Sequence, residues 1–143
     1  MQLPFAILLL AAPALVSAAA APGGVEVRLE KMRNARGVVH ICLTADSAAF
    51  PDCAKDPKAI TRTIPASTAV VRFENVAAGP HALAIFHDEN GNKRLDTFLG
   101  IPREGYGFSQ NPVVRFGPPR FAQARFPVGG GIARLTVRMQ YLL

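Results

Sequence analysis

The chain has 143 residues, and 16 Lys and Arg against 10 Asp and Glu give it a net charge of +6. This length suits one domain, while twelve glycines and twelve prolines disfavour a helix bundle. Two cysteines exclude a disulfide-rich miniprotein and an all-cysteine zinc site. We therefore expect one globular domain that buries its own hydrophobic core.

The amino-terminal segment is apolar: none of the first 21 residues is charged, and 17 of them are hydrophobic. Small residues at its end fit the cleavage rule for secretory signal peptides, so we predict a signal peptide over 1–21 that is cleaved near Ala19–Ala21. The alternative is a retained membrane anchor, which Pro4 and Pro13 disfavour. No later stretch approaches 18 apolar residues, so the mature domain, 22–143, is predicted to be periplasmic or secreted without a transmembrane span.

Alternation of apolar and polar residues predicts short strands along the mature chain. Turns rich in glycine and proline separate them, and no segment has a convincing helical pattern. The segment 81–87 is apolar on both faces, which is typical of a central strand. We predict an all-β fold, a single antiparallel β-sandwich of about seven strands. The predicted strands are 25–30, 37–43, 68–76, 81–87, 113–116, 121–128 and 132–142.

Cys42 and Cys53 are the two cysteines of the chain, and export would permit a disulfide between them. Such a bond would stabilise the fold by about 2–3 kcal/mol on the chain-entropy argument. The alternative is a redox pair or a metal thiolate site. The ten intervening residues match neither a C-x-x-C motif nor a common zinc spacing, so we predict a structural disulfide.

The loop after the central strand carries oxygen-bearing side chains at loop positions 1, 3, 5 and 9, the spacing by which loops supply ligands to Ca²⁺. It predicts a weak calcium site. Position 6 is Lys93 instead of glycine, and position 12 is Leu99 instead of a bidentate glutamate. The alternative is a metal-free turn in which Asp and Asn side chains cap their own backbone. The predicted ligands are Asp88, Asn90, Asn92, Asp96 and the carbonyl group of Arg94.

The glycine-rich segment 100–111 contains Glu104, Tyr106 and Phe108. These three residues define a candidate pocket for a small ligand. The alternative is that the aromatic rings pack into the core and close one end of the sandwich.

Residues 87–112, HDENGNKRLDTFLGIPREGYGFSQNP, resemble the signature of the DUF2141 family of exported bacterial proteins. The resemblance extends to GPHALA at 79–84, to the pattern P-x-F-x-x-A-x-F at 119–126 and to the last strand, and covers nearly all of the mature chain. It implies a periplasmic or secreted sandwich of the prealbumin-like or immunoglobulin-like type, with no established activity. Lys93 replaces the usual glycine, which affects the expected cation geometry, and His81 replaces a common tyrosine.

Arginines alternate with phenylalanines in the carboxy-terminal half. One interpretation is a strand with phenylalanine in the core and arginine in water. The other is a surface, here called the Arg/Phe face, that binds an anionic glycan or lipid of the envelope. Export argues against nucleic acid as the partner. The residues concerned are Arg115, Phe116, Arg120, Phe121, Arg125 and Phe126.

A catalytic triad is not expected. The sequence around Ser109 is GFSQN and not the G-x-S-x-G elbow of hydrolases. His87 and Asp88 are adjacent and would point to opposite faces of a strand. We predict an exported, non-enzymatic binding or accessory module of the envelope, with weak Ca²⁺ as its one candidate cofactor and an envelope glycan, lipid or protein as partner. The alternatives are the Arg/Phe face as an anion binder and, third, an uncharacterised hydrolase.

Overall fold

The computed structural model describes residues 12–143, so residues 1–11 of the predicted signal peptide lie outside the described part. The described chain is mostly strand, and the predicted all-β class is confirmed. Its helical elements are a 3-10 turn at Cys53–Lys55 and one short helix, α1, at Phe121–Ala124. The strands are β1 (Gly23–Glu30), β2 (Val38–Thr44), β3 (Ile60–Pro65), β4 (Val70–Val76), β5 (Gly79–Asp88), β6 (Thr97–Phe98), β7 (Ile101–Pro102), β8 (Gly105–Phe108), β9 (Phe126–Val128) and β10 (Ile132–Arg138).

Most strands belong to two sheets. The smaller has the order β10–β1–β4, the larger has the order β3–β2–β5–β8, and β9 pairs with the start of β5. The short strands β6 and β7 pair only with each other. Strands β1 and β10 run parallel, so the expectation of an antiparallel arrangement is wrong for this pair. The apolar alternation that predicted the strands is the same in both orientations and cannot distinguish them.

The main hydrophobic core draws on both of these sheets. Strand β1 turns Val25, Val27 and Leu29 inward and leaves the residues between them partly or fully exposed. Leu83 and Ile85 of β5 reach the same core from the larger sheet. Burial of alternate residues on one face of each sheet supplies the main stabilisation of such a fold.

The larger sheet has a second apolar cluster on its other face. Along β5, Ala82 and Ala84 alternate with the core residues Leu83 and Ile85 and therefore point away from the main core. The second cluster consists of Phe50, Ala82, Tyr106, Phe108 and Ala124, with Ala84, Val114 and Phe121 packed against it. Strand β5 lies between β2 and β8, which agrees with the central position predicted from its two apolar faces.

Two segments differ from the predicted strands. Residues 113–116 form no strand, and residues 121–124 form α1 instead of continuing into β9. The prolines around 112–119 supply no backbone N–H for a ladder, and α1 turns Ala124 into the second cluster. Strand β3 was not predicted, because its short alternation follows an irregular segment and ends at Pro65.

No helix in residues 12–143 is long and apolar enough to cross a membrane.

Candidate functional site

The second apolar face forms the floor of a cleft, and two rows of side chains cross the larger sheet there. Registered pairs join β3 to β2, β2 to β5 and β5 to β8, so that each row takes one residue from each strand. The first row is Thr63, His40, Phe86 and Tyr106, and the second row is Thr61, Cys42, Ala84 and Phe108.

The cleft has a volume of about 950 Å³. Its walls come from residues 51–54, from Lys93 to Pro102 and from residues 114–118, with Leu142 at one side. Most of the lining side chains are apolar, and this volume falls at the upper end of the range for small-molecule sites. The cleft is therefore the strongest candidate for a binding site in the described part of the chain.

The sequence GYGF in β8 explains why two aromatic rings face the cleft. Gly105 and Gly107 lie on the opposite side of the strand, where an added Cβ would collide with the ring of Tyr141 and with Val137. The absence of side chains lets β8 approach these residues closely. Tyr106 and Phe108 then occupy the outer face, and both line the cleft, as the predicted pocket required.

Glu104, the third residue of the predicted pocket, has a different position. It is buried, and its carboxylate accepts hydrogen bonds from the backbone N–H groups of Glu89 and Asp96, at 2.9 and 3.0 Å. It does not line the cleft. Glu104 therefore ties both ends of the 88–96 loop to the start of β8.

Tyr106 is only 5% exposed, and its hydroxyl group is buried without a hydrogen-bond partner within residues 12–143. Burial raises the pKa of this phenol above its ordinary value. The second tyrosine, Tyr141, is different, because its hydroxyl lies 2.9 Å from Nδ1 of His87. Buried hydroxyl groups normally have a partner, so Tyr106 requires an explanation.

This contrast between the tyrosines predicts opposite effects on stability. Tyr106→Phe should leave the free energy of unfolding unchanged or raise it, because it removes an unsatisfied buried hydroxyl. Tyr141→Phe should lower it by about 1 kcal/mol, because a hydrogen bond is lost. Urea unfolding followed by circular dichroism measures both. An equal loss in the two variants would show that the Tyr106 hydroxyl has a partner in the folded protein.

The disulfide joins Cys42 of the floor to Cys53 of the wall, as predicted. Both residues line the cleft, and their Cα atoms are 5.6 Å apart. Nearby, the hydroxyl of Thr44 donates to Asp56 at 2.6 Å. The link and this hydrogen bond together hold the connection between β2 and β3 against the sheet.

A hydrogen-bonded chain runs from the floor of the cleft to the 88–96 loop. Nε2 of His40 donates to the buried carboxylate of Asp88 at 3.0 Å, and Nδ1 of His40 lies 2.9 Å from the hydroxyl of Thr63. The ring of His40 also packs on Phe86, with centroids 4.6 Å apart. The sequence did not reveal this chain, because His40 and Asp88 meet only through the pairing of β2 with β5.

The 88–96 loop is held by hydrogen bonds among its own residues. Asp88 accepts from the backbone N–H groups of Asn92 and Lys93, at 3.1 and 2.8 Å. The amide groups of Asn90 and Asn92 donate to Asp96, at 2.6 and 2.7 Å. Lys93 adopts φ of 64°, the left-handed conformation in which the usual glycine would be less strained. This is the pattern of the self-capped turn that was the alternative to a calcium site.

The predicted calcium ligands are therefore close together, but their oxygens already accept hydrogen bonds within the loop. The carbonyl of Arg94 has no assigned role in this network. Within residues 12–143, no group of three or more His, Cys, Asp or Glu side chains is placed to hold a metal ion. The calcium site stays a prediction.

Burial raises the pKa of Asp88, but the hydrogen bonds from His40 and from the Lys93 and Asn92 amides outweigh this effect and leave the pKa below its ordinary value. The pKa of Asp96 is also lowered, chiefly by the Asn92 and Asn90 amides. Both carboxylates are thus held in their ionised form, which is the form that accepts these hydrogen bonds.

The residues of a hypothetical hydrolase are not brought together. Nε2 of His87 donates to the carbonyl of Arg36 at 2.6 Å, and its other ring nitrogen faces Tyr141. The hydroxyl of Ser109 donates to the carbonyl of Ala124 and accepts from the N–H of Leu83. Both side chains are fully buried and make structural contacts.

The Arg/Phe face does not form a single surface. Phe126 is in the main core, Phe121 packs on the second cluster, and Phe116 is 98% exposed. Arg115 lines the cleft, whereas Arg120 and Arg125 flank α1. The alternation was taken for one strand, but the proline-rich turn and α1 interrupt it.

A comparison with protein families matches residues 27–136 to a family described as an uncharacterised protein conserved in bacteria, DUF2141. The match covers about three quarters of the 143 residues. The chain belongs to the DUF2141 family. This confirms the resemblance seen in the sequence, and the range includes the floor of the cleft and all three wall segments of this DUF2141 protein. No curated protein and no solved structure matches the chain significantly.

Proposed function

We propose that this DUF2141 protein is an exported binding module that holds a small, largely apolar molecule in the cleft. The observation that carries this proposal is the cleft itself, about 950 Å³ above a sheet face with Phe86, Tyr106 and Phe108 on its floor. Small-molecule sites are typically concave and lined by apolar and aromatic side chains. An outer sheet face exposed only to water would instead carry polar residues.

The proposed architecture is a β-sandwich that follows a cleaved signal peptide. The shared core of the two sheets supports the sandwich. The uncharged segment 1–21 supports export, and the Cys42–Cys53 disulfide suits an oxidising compartment such as the periplasm. The envelope is then the source of the ligand, as a glycan, a lipid or a group on a protein.

The proposed role is binding without catalysis. His87 and Ser109, the residues considered for a hydrolase, are buried and occupied by structural hydrogen bonds. The His40, Asp88 and Thr63 chain orders the floor of the cleft and connects it to the 88–96 loop.

The cleft can be tested with N-phenyl-1-naphthylamine, a neutral probe whose fluorescence rises in apolar surroundings. The chain contains no tryptophan, so protein emission interferes little. We expect saturable binding to the mature protein, and at least tenfold weaker binding to Ala84→Phe, because a ring in the middle of the floor fills the cleft. The matched control is Ala45→Phe at an exposed position outside the cleft, which should bind as the wild type does.

Equal binding by the Ala84→Phe variant would place the probe elsewhere and contradict the proposal, as would the absence of saturable binding. An anionic glycan or lipid is the second candidate, supported by Arg115 at the cleft and by the exposed Phe116 beside it. Binding of an anionic ligand would weaken steeply with added salt, whereas binding of the neutral probe would not.

A further inference from the structure

We propose that the molecule held in the cleft carries a carbonyl oxygen and that this oxygen accepts a hydrogen bond from the hydroxyl of Tyr106. This inference rests on the proposed function and names the chemistry of the ligand. It follows from one buried polar group in an apolar site, the single buried side-chain polar atom without a partner among residues 12–143.

The surroundings of Tyr106 contain apolar side chains. Its ring belongs to the cluster of Phe50, Ala82, Phe108 and Ala124, and the centroids of Tyr106 and Phe108 are 6.0 Å apart. These side chains have no oxygen that accepts a hydrogen bond. A phenylalanine at this position would fill the same space without the cost of a buried unpaired hydroxyl.

The backbone holds Tyr106 in a defined position on the floor. Its N–H donates to the carbonyl of Gln140 at 3.0 Å, and its carbonyl accepts from the N–H of Gln140 at 2.8 Å. The glycines on both sides keep β8 against Tyr141 and Val137. The ring is therefore one end of the row that also contains Phe86, His40 and Thr63, and an apolar ligand lying on Phe86 is adjacent to Tyr106.

The chemistry of the phenol selects the partner. Burial keeps the hydroxyl protonated at neutral pH, so it donates a hydrogen bond. A charged acceptor would lose its hydration among these aromatic and aliphatic side chains, whereas a carbonyl oxygen loses less and gains the bond. The inferred ligand is therefore a neutral, largely apolar molecule with a carbonyl group, such as a ketone or an ester.

A matched pair of probes tests this inference. 2-Acetylnaphthalene and 2-ethylnaphthalene have nearly the same shape and differ by a carbonyl group in place of a methylene. Their dissociation constants are measured by equilibrium dialysis with the wild-type protein, with Tyr106→Phe and with Tyr141→Phe. The last variant removes a tyrosine hydroxyl outside the cleft.

We expect Tyr106→Phe to weaken binding of the ketone about tenfold, as the loss of one hydrogen bond implies, and to leave the hydrocarbon within about twofold. Tyr141→Phe should change neither. If both probes bind and Ala84→Phe blocks both, but Tyr106→Phe does not weaken the ketone selectively, the inference is wrong and the proposed function stands. If neither probe binds saturably to the wild type, the proposed function is itself contradicted.

Discussion

Replacing Asp88 with alanine is expected to lower the free energy of unfolding by about 3 kcal/mol at pH 7, the largest effect of any single substitution considered for this protein. Asp88 is fully buried and accepts hydrogen bonds from His40 and from the backbone N–H groups of Asn92 and Lys93. Alanine leaves these donors without an acceptor at the end of β5. Urea unfolding of the two proteins, followed by circular dichroism, measures the difference.

The effect of Asp88→Ala should depend on pH in a defined direction. The pKa of Asp88 is lower in the folded protein than its ordinary value, so the ionised carboxylate stabilises the fold. This contribution is fully present above the pKa in the unfolded chain, about 3.9, and is lost as the pH falls through the lower folded pKa. The stability difference between wild type and variant should therefore shrink below about pH 4.

Asp96→Ala is the control in the same loop, because Asp96 is only partly buried and accepts from the Asn90 and Asn92 amides. It should destabilise clearly less than Asp88→Ala. Equal effects would mean that the loop is not organised around Asp88. Unfolding in EDTA and in millimolar Ca²⁺ separates the two interpretations of the loop. A concentration-dependent rise in Tm that both variants abolish would establish the calcium site, whereas an unchanged Tm would leave the self-capped turn.

Loss of the Cys42–Cys53 disulfide is expected to lower the free energy of unfolding by about 2–3 kcal/mol, because the bond closes a short loop in the unfolded chain. The double variant Cys42→Ser/Cys53→Ser should also bind the naphthylamine probe more weakly, since the disulfide attaches one wall of the cleft to its floor. Unfolding and probe titration of the variant and the wild type measure the two effects.

Treatment of the wild type with a thiol reductant is the control for this substitution. It should reproduce the loss of stability, and the double variant should not respond to it. A wild type that the reductant leaves unchanged, together with a fully stable double variant, would show that the two cysteines do not stabilise the folded protein.

Local patterns carried the parts of this fold that depend on neighbouring residues. Alternation in 25–30 and 81–87 predicted β1 and β5, because one or both faces of these strands are buried. The same method failed at 113–128, where arginines and phenylalanines alternate across a proline-rich turn and a short helix. Phe121 and Phe126 are buried there through tertiary contacts, and no strand periodicity places them.

The candidate site depended more strongly on the tertiary structure. Tyr106 and Phe108 were identified from the sequence, since aromatic residues between glycines are unusual in a loop. Glu104 was assigned to the same pocket, but β8 turns it toward the backbone of the 88–96 loop. The two apolar faces of β5 were the one signal in the sequence that pointed to the cleft.

The sequence by itself determined the family, the all-β class, the pairing of the two cysteines and the loop at 88–96, because each follows from composition or from residues close together in the chain. Only the tertiary structure decided that β1 and β10 run parallel and that His40 reaches Asp88. It also decided that one row of side chains crosses four strands to a buried, unpaired hydroxyl. These features depend on which strands become neighbours and in what register, and the period of two along a strand is the same for every such arrangement.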